Sequence, residues 1–118
     1  MLTLICGLTR AGKTTYSERY DKEIVIHLDK TRNFYKGVEK AVEERTGDIV
    51  VDGVFSKKFR RLGLLNAYQG DGPKKCIWLD TPDEIRMNRP GFIKYCDNKF
   101  EPPTYDEGWD EIEIIRDV

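Results

Sequence analysis

Residues 4 to 16 read Leu4-Ile5-Cys6-Gly7-Leu8-Thr9-Arg10-Ala11-Gly12-Lys13-Thr14-Thr15-Tyr16, and the fold follows from how this stretch is read. Met1 to Cys6 is a short apolar run, about the length of a buried strand. It passes into Gly7-Leu8-Thr9-Arg10-Ala11-Gly12-Lys13-Thr14, which meets G-x-x-x-x-G-K-[ST] at every fixed position. Gly7 and Gly12 permit backbone conformations that a Cβ would penalise. The loop amides from Gly7 through Leu8, Thr9, Arg10, Ala11 and Gly12 to Lys13, Thr14 and Thr15 can then turn inward around a phosphate. Lys13 brings a compact positive charge to the β- and γ-phosphates, and Thr14 offers a hydroxyl to Mg²⁺. Thr15 to Tyr20 reads as a helix whose N-terminus faces the same anion. Chance would produce the pattern in a chain of this length on the order of once in a few hundred. Here it also has a strand before it and a helix after it. The motif points to a nucleoside triphosphate, ATP or another, and leaves the fate of the γ-phosphate open.

Working outward, Glu23-Ile24-Val25-Ile26-His27-Leu28 is a β-branched apolar run and reads as a second strand ending at Asp29. Thr31 to Arg45 carries Phe34, Val38, Ala41 and Val42 at helical spacing, and Thr46-Gly47 stops that helix. Asp48 to Gly53 is apolar on both faces, as in a buried parallel sheet. Residues 56 to 69 read as a helix with Phe59, Leu62 and Leu65 on one side. Lys57, Lys58, Arg60 and Arg61 are interleaved as a solvated face, with contact to a polyanion as the other use of such a cluster. Lys75 to Asp80 is a fourth strand. Thr81-Pro82-Asp83-Glu84 has the order of an N-cap, a first-turn proline and a capping-box acid. Pro90-Gly91 keeps that helix short, residues 90 to 111 are irregular, and Glu111 to Arg116 alternates as an edge strand. The expectation is an α/β fold with a five-stranded parallel sheet flanked by helices, of the P-loop NTPase type, carrying a short lid. The whole of 1–118 is read as a single kinase domain.

Composition narrows the class. The 118 residues carry 20 Lys and Arg against 21 Asp and Glu, a net charge of −1, so a dedicated, tight nucleic-acid binder is disfavoured while a local basic cleft is not. No apolar run approaches the ~20 residues that cross a bilayer. No leader is recognisable, and Cys6, Cys76 and Cys96 are odd in number without C-x-x-C spacing. Free thiols, a cytoplasmic location and no membrane partner are expected.

In a parallel α/β sheet, ligands gather at the carboxyl ends of the strands. Asp29 and Arg32 follow the second strand, Asp52 the third, and Asp80 the fourth. Asp52 is the candidate to hold Mg²⁺ and its waters together with Thr14; a turn or N-cap aspartate is the alternative. Asp29 could face an acceptor hydroxyl as general base, with Arg32 one helical turn on to hold an anionic group of the acceptor; a helix cap followed by a solvated arginine explains them equally well. Arg86 and Arg89 lie three apart near a Pro-Gly break and suit a lid over the γ-phosphate, or a solvated face. His27 and Trp78 read as packed.

With these residues in place the chain resembles the kinase domain of polynucleotide 5′-hydroxyl kinases, the group of the phage end-healing enzyme and the animal DNA-repair kinase. The phosphate loop is the least specific element. Asp29-Lys30-Thr31-Arg32 looks like that family's general base and acceptor-phosphate arginine. Lys99-Phe100-Glu101-Pro102-Pro103-Thr104-Tyr105-Asp106-Glu107-Gly108-Trp109-Asp110-Glu111-Ile112 is similar to the Phe-Glu-x-Pro-Thr-x-x-Glu-Gly-Phe segment of the animal type. Arg89 is similar in placement to the lid arginine. The resemblance implies ATP and Mg²⁺ as cofactors and a 5′-hydroxyl end of DNA or RNA as acceptor. It also suggests residues 102 to 104 as a wall of the base pocket. Departures are Gly53, where the family has Thr or Asn, and the short stretch between Arg89 and Lys99. A small-molecule kinase acting on a nucleoside, nucleotide or sugar, and a nucleotide-binding module without turnover, are the competing expectations.

Overall fold

The computed structural model describes residues 1–8, 10–88 and 99–116. Strand β1 (Leu2–Cys6) is buried along its whole length and lies at the centre of the sheet. Its neighbours are β3 (Ile49–Gly53) and β4 (Lys74–Leu79), with β2 (Val25–His27) outside β3 and β5 (Glu111–Ile115) outside β4. The order is β2-β3-β1-β4-β5 and every pairing is parallel. Alternation along β1 divides the core. Leu2, Leu4 and Cys6 face helices α2 (Phe34–Glu43) and α3 (Lys58–Ala67), while Ile5 faces Ala11, Tyr16 and Leu79 beside α1 (Lys13–Ser17). Val38 and Val42, four apart, are the buried stripe of α2. Gly47, at φ 84, follows that helix in the left-handed region. Among the described residues, no helix is long and apolar enough to cross a membrane.

Four local expectations are corrected. The second strand is only three residues long. Asp21 accepts a bond from the Glu23 amide and folds Lys22–Ile24 into a 3-10 turn, and Leu28–Lys30 forms another, so neither end is extended. The helix after the phosphate loop is Lys13–Ser17, five residues, earlier and shorter than Thr15 to Tyr20. Thr81 does not cap helix α4 (Asp83–Met87); its hydroxyl donates to the Ala11 carbonyl at 2.7 Å and ties the fourth strand end to the phosphate loop. A capping box exists instead at Thr104 and Glu107, around the 3-10 turn Tyr105–Glu107.

The fourth correction concerns the basic helix. Arg61 is fully buried, and α3 turns Arg61, Leu64 and Ala67 inward while Phe59 is exposed. Arg61 Nε and Nη2 donate to the two oxygens of Glu107 at 2.8 and 3.0 Å, and Nη1 donates to the Phe55 carbonyl at 2.8 Å. Trp109 Nε1 donates to the same carboxylate at 3.1 Å. Burial raises the Glu107 carboxyl, and the Arg61 and Trp109 bonds outweigh it, leaving it below its ordinary value. Phe100 stacks on Trp78 with centroids 4.9 Å apart, so Trp78 is half-buried in contact with this segment. The 99–110 segment is thus strapped across α3 and the sheet edge that carries β4 and β5.

Candidate functional site

At the carboxyl ends of β1 and β3 lies a cavity of about 660 Å³, lined by Lys13, Thr14, Asp29, Asp52 and Phe34 among others. Its floor is the loop that follows β1, residues 7 to 14. Arg10 and Gly12 both have positive φ, 66 and 103, and the Ala11 amide donates to the Leu8 carbonyl at 3.0 Å. Arg10, Gly12 and Thr15 line the cavity, whereas Gly7, Leu8 and Ala11 form the turn behind it. A Cβ on Gly7 would come within 2.8 Å of the Leu79 carbonyl oxygen and 2.9 Å of Ala11 Cβ, so only glycine lets the loop leave β1 against β4. Thr9 lies outside the described residues.

Lys13 folds back over this floor. Its Nζ donates to the carbonyls of Gly7 and Leu8, both at 2.9 Å. Burial lowers its proton affinity to about 8; the charges of Asp52 and Asp29 oppose that fall and Arg86 adds to it. The ammonium is therefore near two carboxylates and an arginine, held by two carbonyl dipoles that an anion could replace. Helix α1 is only five residues long, so its dipole adds little to the field at the cavity.

Asp52 stands at the next-to-last position of β3, almost fully buried yet lining the cavity. His27, its register partner at the end of β2, donates from Nδ1 to Asp52 Oδ2 at 2.6 Å. His27 was expected merely to pack, and it orients the carboxylate instead. The signal was available: two strands ending level place their last side chains beside one another. Thr14 and Asp52, one hydroxyl and one carboxylate, line the same cavity. That donor set suits Mg²⁺, which keeps several waters and needs few protein oxygens. Among the described residues no cluster of three or more His, Cys, Asp or Glu side chains forms a metal cage. Gly53 is explained by packing: a Cβ there would meet Leu28 Cβ at 2.7 Å and Phe55 Cε2 at 2.9 Å, leaving no room for Thr or Asn.

Asp29 is exposed and lines the cavity from the 3-10 turn after β2. The turn is held by Thr31, whose hydroxyl donates to the His27 carbonyl at 2.6 Å. Gly37 of α2 lets the Arg32 carbonyl pack against the helix, where a Cβ would overlap it at 1.9 Å. Arg32 itself is exposed and is not among the described residues lining the cavity. Arg86 is buried in α4 and ion-paired with Asp83, not on a solvated face, and it reaches Lys13 through its charge. Arg89 lies outside the described residues, as does the Pro90-Gly91 break. Pro102, Pro103 and Thr104 do not line the cavity; Pro102 accepts a long bond from Arg61 at 3.4 Å, and the segment belongs to the strap on α3. Phe34 and Tyr35, read from sequence only as helix residues or not at all, form a cavity wall.

No protein-family model matches the chain, and no curated protein matches it significantly.

Proposed function

We propose that this chain is an ATP-dependent kinase of the P-loop type that transfers the γ-phosphoryl group to a hydroxyl, the 5′-hydroxyl of a DNA or RNA end. One observation carries the reading: Lys13, Thr14, Asp52 and Asp29, distant in sequence, line one cavity at the carboxyl ends of parallel strands. The loop's position after the central strand, and the order β2-β3-β1-β4-β5, support the fold assignment. Lys13 exchanges its two carbonyl partners for phosphate oxygens and stabilises charge on the transferring group. Thr14 and Asp52 would hold Mg²⁺, which would supply positive charge against the β- and γ-phosphates. His27 keeps Asp52 turned toward that position. Asp29, exposed and lining the same cavity, accepts the proton of the attacking hydroxyl. Arg32, exposed and three residues after Asp29, takes the phosphate 3′ to that hydroxyl through its guanidinium fork. Arg86 and Arg89 remain the candidates for the γ-phosphate. The resemblance in the Asp29 to Arg32 motif favours a 5′-hydroxyl end over a sugar.

The test is a double cycle of enzyme and acceptor. Asp29→Asn lowers turnover by ~10² to 10⁴ with ATP binding retained. The intact chain prefers a nucleoside 3′-phosphate to the bare nucleoside, and Arg32→Ala erases that preference. Equal losses on both acceptors would remove Arg32 from the acceptor site. Indifference of the intact chain to the 3′-phosphate, with transfer to a nucleoside or sugar, would establish the small-molecule kinase.

A further inference from the structure

Two aromatic side chains stand out of the surface beside the cavity. Phe34, at the start of α2, lines the cavity and is 62% exposed; Phe59, on α3, is 63% exposed. Single exposed apolar residues are ordinary. These two are joined by a specific arrangement. Tyr35, next to Phe34, lines the same cavity, and its ring packs edge-on against Phe55 with centroids 5.1 Å apart. The Arg60 guanidinium lies over Tyr35 at 4.3 Å and over Phe59 at 4.8 Å. Tyr35, Arg60 and Phe59 thus form a ridge running from the cavity, and Phe34 stands next to Tyr35 at its cavity end. The ridge is stiffened at its inner end. Asn33 and Phe34 hold φ values of 66 and 48, in the left-handed region that an aromatic residue seldom adopts. Such a conformation persists where surrounding structure enforces it. It delivers the Phe34 ring to the cavity instead of the core.

We propose that this ridge binds the single-stranded nucleic acid that continues 3′ from the reacting end. The inference deepens the kinase reading and rests on it for the identity of the acceptor. Alternating aromatic rings and a fixed cation suit an unpaired strand, because each base offers a face to stack on and each linkage an anion to neutralise. In a duplex the bases are already stacked on one another and only the terminal pair keeps a free face, so a ridge of several groups gains little from it. Arg32, two residues before Phe34 in sequence and exposed, is a second cation near the start of α2. The net charge of −1 means that affinity comes from this local path and not from the overall field. The site therefore takes a 5′-hydroxyl single strand of several nucleotides in preference to a lone nucleotide.

The experiment compares a nucleoside 3′-phosphate with a 5′-hydroxyl octanucleotide as acceptors, and separately titrates a 3′-fluorescent copy of the octanucleotide by anisotropy without ATP. The intact chain prefers the octanucleotide by roughly tenfold or more in kcat/KM, about one stacked base or better. Phe34→Ala and Phe59→Ala each reduce that preference and weaken strand binding several-fold, and the double variant brings the preference close to one. Ile114→Ala, an exposed apolar residue on the far edge strand, leaves preference and binding as in the intact chain. Annealing a complementary strand to the octanucleotide weakens binding. Transfer without length preference, or strand binding that ignores Phe34 and Phe59, would overturn the ridge while leaving the kinase standing. Strand binding that depends on both rings, with no transfer to any 5′-hydroxyl, would keep the ridge and overturn the kinase.

Discussion

Two charged clusters of this molecule make opposite use of similar residues. Around Lys13, the cations and carboxylates share a cavity open to water: Lys13 is held by carbonyls, Asp29 is exposed, and Asp52 has one oxygen engaged by His27. Around Arg61, the pair is closed: both carboxylate oxygens of Glu107 are engaged, three of the Arg61 nitrogens have acceptors, and the two side chains are almost wholly buried. The first cluster has bonding capacity to spare for a ligand. The second has spent its capacity on the fold. A specific-looking sequence stretch is therefore no guide to chemistry until its partners are known, since 99 to 112 is the more distinctive string and most of what is seen of it is structural.

The contrast can be broken at each end. The largest effect is expected at Lys13. Lys13→Ala lowers turnover by at least ~10³, about 4 kcal/mol or more in the barrier, while the free chain becomes no less stable to heat at neutral pH, where the buried charge of Lys13 opposes folding. Near-normal turnover with any acceptor would remove the loop from the chemistry. Glu107→Ala does the reverse. It leaves Arg61 buried without its carboxylate and costs about 3–5 kcal/mol of stability, read by urea unfolding, a large part of what a domain of this size has. At temperatures where that variant is folded, its turnover stays within a few-fold of the intact chain. A loss of turnover without loss of stability would move Glu107 into the active site. Because Glu107 lies below its ordinary value of 4.5 when folded, its contribution is present above that pH and fades as pH falls through the folded value.

The smallest effect sharpens the comparison through pH. Lys13 has a folded value near 8 against 10.5 unfolded. Between those values the unfolded chain binds more protons, so Lys13 makes stability rise with pH across that window. Triphosphate favours the charged form. ATP affinity should therefore fall as pH rises through about 8, and calorimetry in buffers of different ionisation enthalpy should record proton uptake on binding near that pH. Lys13→Ala abolishes the uptake. An intact chain whose ATP affinity is flat from pH 7 to 9.5 would show that Lys13 does not meet the phosphates.

How much was legible varies with the range of the interactions involved. The strand and helix succession could be read, because β-branched runs and 3.6-residue spacing are local properties of the chain. Boundaries were less legible where a side chain competes with the ladder, as Asp21 and Thr31 do on either side of β2. The face of α3 was misread for a tertiary reason. Hydrophobic spacing favoured Phe59, Leu62 and Leu65, and the carboxylate of Glu107, 46 residues away, made Arg61 the buried residue instead. Thr81 was misread similarly, since its partner is the Ala11 carbonyl 70 residues earlier.

By itself the sequence determined the alternation of strands and helices, the phosphate-loop motif, and the placement of Asp52 at the end of β3 and of Asp29 shortly after β2. Each follows from neighbours along the chain or from the rule that parallel strands end on one side of the sheet. Only the tertiary structure decided that His27 orients Asp52, that Gly53 has no room for a side chain, that Phe34 turns to the cavity, and that Arg61 turns away from water. Those outcomes depend on which groups from distant segments meet in space, and on whether a buried charge finds a partner there, which no local pattern encodes.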